Sequence, residues 1–101
     1  MVEKVIIYWR DIPSQVSIKR GRVKGKALLS ERFQEAIDRA AMYAGKNNTD
    51  DYVAEWRREV VSCECDEVDL NTFAHQEAAA LEQQFPAECL EKIVRNQGLL
   101  P

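Results

Sequence analysis

The chain has 101 residues, 46% hydrophobic and 31% charged, with 14 basic and 17 acidic side chains. That length predicts a single domain over residues 1–101, and the apolar fraction excludes a disordered chain. The net charge of −3 conceals a split: residues 1–30 carry seven basic against two acidic side chains, +5, and residues 31–101 carry seven basic against fifteen acidic, −8.

The clearest strand is VEKVIIYW, residues 2–9, with Val5, Ile7 and Trp9 on one face and Ile6 and Tyr8 on the other. Apolar residues on both faces predict a central or well-covered strand. Asp11, Pro13 and Ser14 mark a turn, because proline fixes φ and lacks a donor. Val16 and Ile18 then alternate with Ser17 and Lys19, and the short connection predicts an antiparallel hairpin. Residues 19–26, KRGRVKGK, read as a mobile loop or an irregular strand extension. A helix follows, with Ser30 as N-cap, Glu31 in its first turn, and an apolar stripe of Phe33, Ala36, Ile37, Ala40, Ala41 and Ala44. Gly45 suits its C′ position, and KNNTDD is turn chemistry.

Residues 52–63, YVAEWRREVVSC, fit two patterns. Tyr52, Trp56 and Val60 follow a helical row with Thr49 or Asp50 as cap, whereas Tyr52, Ala54 and Trp56 alternate ahead of a β-branched run. A strand over most of the stretch is the preferred reading, because a hairpin plus a helix needs another strand to complete a sheet; a short helix ahead of a strand is the alternative. Leu70, Phe73, Ala74, Ala78, Leu81 and Phe85 define a second long helix over 69–85, ended by Pro86. Ala87 to Asn96 forms a short helix on Leu90, Ile93 and Val94, closed by Gly98. The expected fold is a small two-layer α+β domain: an N-terminal β-hairpin plus a third strand, covered by two long and one short α-helix.

Three cysteines, Cys63, Cys65 and Cys89, argue against a disulfide framework. Cys63 and Cys65 lack the partners and spacing of a structural zinc site, so neither metal nor cofactor is expected. No apolar run approaches the roughly 18 residues that span a bilayer. The start, MVEKVIIYWRDI, lacks the basic segment and cleavage site of a signal peptide. A cytoplasmic protein without a membrane partner is expected.

Tyr8-Trp9-Arg10-Asp11-Ile12-Pro13-Ser14-Gln15-Val16, then residues 31–42 (ERFQEAIDRAAM), then Asp51-Tyr52 with Glu55-Trp56, resemble the bacterial virulence factor domain family. That family is stand-alone in many proteobacteria, and a similar domain ends larger conserved virulence proteins. The resemblance covers roughly residues 2–60. It implies no established activity and no catalytic residues to carry over; it implies an association with one-carbon, tetrahydrofolate-linked methyl transfer.

Arg10 and Asp11 beside Gln15 form one candidate site, since an arginine fork and a carboxylate at a strand end can bind a carboxylate, a phosphate or a partner's backbone. The structural alternative has Asp11 capping the turn and Arg10 pairing with an acid on the first helix. Lys19, Arg20, Arg22, Lys24 and Lys26 form a second candidate. A pI of about 5.2 and the absence of interleaved aromatics exclude nucleic acid as its partner. Trp56, Arg57 and Arg58 near Arg10 suit a protein-binding hot spot if their strands are neighbours. No nucleophile–base pair, HExxH or phosphate loop is recognisable, and the single histidine, His75, falls at the edge of an apolar stripe, so no enzymatic activity is expected. The sequence therefore points to a non-enzymatic protein-interaction or accessory module that docks on a larger protein with an acidic surface, with a homo-oligomer left open. The alternative is a small anionic-ligand-binding accessory domain linked to one-carbon metabolism.

Overall fold

The computed structural model describes residues 1–46, 48–65 and 69–100. Its elements in chain order are β1 (Val2–Trp9), β2 (Ile12–Arg20), β3 (Val23–Leu28), α1 (Glu31–Tyr43), α2 (Thr49–Ala54), β4 (Trp56–Cys63), α3 (Leu70–Gln83) and α4 (Ala87–Arg95). The four strands form one antiparallel sheet in the order β3-β2-β1-β4. The α+β class is as expected, with one strand and one short helix more than the sequence pattern shows. β1 is central, which explains its apolar residues on both faces. Its pairing with β2 runs Ile7 opposite Gln15 and then Tyr8 opposite Pro13, leaving Ser14 as a bulge. The Ser14 carbonyl accepts from Leu29 N at 3.0 Å, so the bulge also anchors the exit of β3.

Residues 19–26 are not a loop. β2 continues to Arg20, Gly21 takes the turn at φ 57°, and β3 begins at Val23. The strand escapes the usual pattern because its inward positions are only Gly25 and Ala27. α3 lies on β3 and β2. A Cβ at Gly25 would collide with the Leu70 carbonyl and the Asn71 nitrogen, so glycine allows the helix backbone to rest directly on the strand. Asp69 caps α3 by accepting from Asn71 N at 3.0 Å, and Asn71 Oδ1 accepts from Lys26 N at 3.1 Å.

The preferred strand over 52–63 gives way in its first part to the alternative: α2 ends at Ala54, and β4 starts at Trp56. Asn48, rather than Thr49 or Asp50, caps α2, its side chain accepting from Asp51 N at 2.9 Å. Within the expected KNNTDD turn, Asn47 lies outside the described residues. Ser30 precedes α1 without a side-chain cap bond; its hydroxyl donates instead to Glu82 at 2.7 Å, tying the start of α1 to α3. α1 packs on β2 and α4, and Phe33, Ile37 and Ala40 join Ile12, Val16, Ile18, Leu70, Ala74, Ile93 and Val94 in the buried core. Trp9 is fully buried, its indole N–H donating to the Tyr52 carbonyl at 2.8 Å. Gly98, at φ 88°, fits against that ring with no room for a Cβ. No helix is long and apolar enough to cross a membrane among the described residues.

Candidate functional site

The strand registers lay out the sheet face turned away from α3 as three rows across β3, β2, β1 and β4. The first reads Leu28, Gln15, Ile7, Arg58; the second Lys26, Ser17, Val5, Val60; the third Lys24, Lys19, Glu3, Ser62. Residues directly opposite one another in antiparallel strands share a face, so this grid follows from pairing alone. Lys19, Lys24, Lys26, Arg58, Leu28 and Val60 are exposed, whereas Val5, Ile7, Gln15 and Ser17 are partly covered. All of these but Leu28 and Val60, with Gly25, Ile18 and Asn71 at the β3 side, line a basin of about 530 Å³ with an apolar floor from β1 and cations on both flanks. At the β1–β2 turn the face is closed: Trp9 sits opposite Trp56, and Tyr52 packs on both rings at 5.8 and 5.9 Å.

Charge pairing separates the cations into two populations. Lys4 binds Glu77 (3.1 Å), Arg10 binds Glu55 (3.3 Å), Arg32 faces Glu82 (3.9 Å), Arg39 binds Glu91 (2.7 Å), Lys46 faces Glu55 (3.7 Å), Arg57 binds Asp11 (3.1 Å) and Arg95 binds Glu91 (3.2 Å). Arg20 donates to the Cys65 carbonyl at 2.7 Å. Among the described residues, Lys19, Arg22, Lys24, Lys26, Arg58 and Lys92 make no ion pair, although Glu3 stands opposite Lys19. Four of those six stand on the open face, Arg22 is in the turn at its corner, and Lys92 is on α4. The basic excess of residues 1–30 is therefore only partly neutralised inside the molecule.

The eight candidate residues from the sequence fall into three places. Gln15 and Lys19 are in the basin. Arg20 and Arg22 flank the β2–β3 turn, Arg20 reaching back to Cys65. Arg10, Asp11, Trp56 and Arg57 gather at the β1–β2 turn, confirming that their strands are neighbours. There Arg10, at φ 53°, lies against the Trp9 ring and donates to the Gln97 carbonyl at 2.9 Å. Its acidic partner is Glu55, the C-cap of α2, rather than an acid on α1. The Asp11 carboxylate accepts from Arg57 at 3.1 Å and from Leu100 N at 2.8 Å, while Asp11 N donates to the Gly98 carbonyl at 2.8 Å. These contacts clamp the segment after α4 onto the hairpin. Arg57 also stacks over Tyr8 at 4.6 Å; burial pushes the Tyr8 phenol upward, and Glu59 adds to that effect.

Val5, Ile7 and Ser17 belong to the basin but are not singled out as site residues by the sequence, and Arg58, expected beside Arg10, lies in the basin instead. β-alternation in β1 and β2 signals those three, whereas the placing of Arg58 opposite Ile7 comes only through the long-range β1–β4 pairing. Cys63 and Cys65 are half-buried against the core, and Cys89 and His75 are exposed. No group of three or more His, Cys, Asp or Glu side chains is placed to hold a metal among the described residues.

Comparison with curated proteins and with solved structures gives no match. The family model described as Virulence factor matches residues 7–94, from the end of β1 through α4, well past the motif-bearing first half. The chain belongs to the Virulence factor family.

Proposed function

We propose that this chain is a non-enzymatic cytoplasmic module that docks on an acidic surface of a larger protein through its open sheet face. The observation that carries the proposal is the segregation of unpaired cations: Lys19, Lys24, Lys26 and Arg58 flank an apolar strip, while Arg10 and Arg57 at the hairpin turn and Arg32 and Arg39 on α1 meet acids or carbonyls. Complementary charge steers encounter and fixes orientation, and apolar contact in the middle supplies affinity. Nucleic acid is disfavoured as partner, since Trp9, Trp56 and Tyr52 stack at the closed end and none lines the basin.

The second reading, an accessory domain for a small anionic ligand, draws on the basin volume and the same cations. Against it, the basin is formed by a strand face rather than a cleft that could bury most of a small ligand. The two separate by co-purification from native cells with the wild-type chain and a Lys19→Glu, Lys26→Glu, Arg58→Glu variant, with circular dichroism confirming the fold of each. The proposal expects a stoichiometric protein partner that is lost on charge reversal and weakened steeply by salt. A partner that is retained regardless of charge and salt overturns it. A partner-free monomer whose Tm rises with an anionic metabolite transfers the function to the second reading.

A further inference from the structure

The two edges of the sheet are unlike. The β3 edge is covered by the first turn of α3, where Asn71 takes the Lys26 N–H and the helix backbone rests on Gly25. β4 pairs with β1 on one side, and no other strand among the described residues pairs with it. Its six central residues, from Arg57 to Ser62, are all exposed. Natural edges are commonly blunted by bulges, prolines or inward charges. β4 has neither bulge nor proline: its pairing with β1 is regular over all eight residues, and Val60 and Val61 are 53% and 48% exposed. Arg57 and Glu59 satisfy one another at 3.4 Å on the far face, which leaves Arg58 as the unneutralised charge beside the basin.

Resting on the docking function proposed above, we infer that the partner contributes an extended acidic segment that adds to β4 as a fifth strand. On the open face, where every second side chain of the added strand would point, it would set an acid beside Arg58 and an apolar group beside Val60. Main-chain bonds along an edge give affinity, and the alternating side chains give specificity. A second copy of this chain does not fit. Antiparallel self-pairing of β4 about a two-fold axis normal to the sheet keeps each face on its own side. Arg58 would then meet only Trp56, Arg58, Val60 or Ser62, none of them acidic.

The probe is a fluorescent peptide about as long as β4, with glutamate and valine taking turns at every second position and threonine in the positions between, titrated into the full chain. Saturable binding is expected, weakened roughly tenfold or more by Arg58→Glu and lost when alternate peptide amides are N-methylated. Hydrogen exchange of the β4 amides slows in the complex, while that of β3 does not. Binding that survives N-methylation and leaves β4 exchange unchanged overturns strand addition but keeps docking in the basin. No binding, with Arg58→Glu also leaving the native partner bound, removes both. A concentration-dependent dimer disrupted by Val60→Lys assigns the edge to a second copy and overturns the inference.

Discussion

Gly25 and Arg10 show how single positions decide this structure. Gly25→Ala would drive a methyl group into the backbone of Leu70 and Asn71, which cannot rotate away as a side chain can. Overpacking of this kind costs about 1–3 kcal/mol, and urea unfolding should show that loss together with faster exchange at Lys26 N. Arg10 joins Glu55, the Gln97 carbonyl and the Trp9 ring. Arg10→Ala should therefore destabilise the fold by about 1–3 kcal/mol while leaving binding of acidic ligands intact. Glu91 offers a pH test. Its carboxyl is lowered to about 2, first by the bidentate bond from Arg39 at 2.7 and 2.8 Å, then by Arg95. A carboxyl depressed in the folded state stabilises above its ordinary value of 4.5, and that contribution fades as pH falls toward about 2. Exposure to solvent keeps the effect small. Thermal melts should show Arg39→Gln flattening part of the acid-side loss, whereas Lys92→Gln leaves it unchanged.

At the scale of elements, periodicity made α1, α3 and α4 legible, because each buries a stripe at intervals of three and four. β3 was not legible for a physical reason: four of its six positions are exposed, and its buried pair is glycine and alanine. Its strand conformation comes from pairing with β2 and from α3 resting on it, neither of which leaves a local mark. α2 was legible only as the alternative to a longer strand, because none of its residues is buried, so it has no stripe. The candidate site divides the same way. Gln15 and Lys19 could be placed from alternation in β2, but the match of Arg58 to Ile7 depends on a pairing some fifty residues distant in sequence. Arg10 and Asp11, conspicuous in sequence, hold β2, β4 and the segment after α4 together. Asp11→Ala should free that segment, seen as loss of exchange protection at Leu100 N, at a cost of about 1–3 kcal/mol.

For the whole molecule, the +5 and −8 halves read from the sequence are partly reconciled within the fold. Lys4 pairs with α3, Arg10 with the end of α2, and Arg20 with the Cys65 carbonyl. What remains of the basic segment is gathered with Arg58 on one face, whereas Glu31, Glu35, Asp38 and Glu88 are exposed on α1 and α4. A domain of net charge −3 thus presents a positive sheet face and a negative helical one, and its association should respond to salt through the sheet face alone. The most direct measurement is amide chemical-shift mapping of the labelled chain titrated with poly-L-glutamate at low salt. The account predicts shifts concentrated at Val5, Ile7, Ser17, Lys19, Lys26 and Arg58 and abolished by added salt. Shifts spread equally over Lys46 and Lys92, or absent from the sheet face, would contradict it.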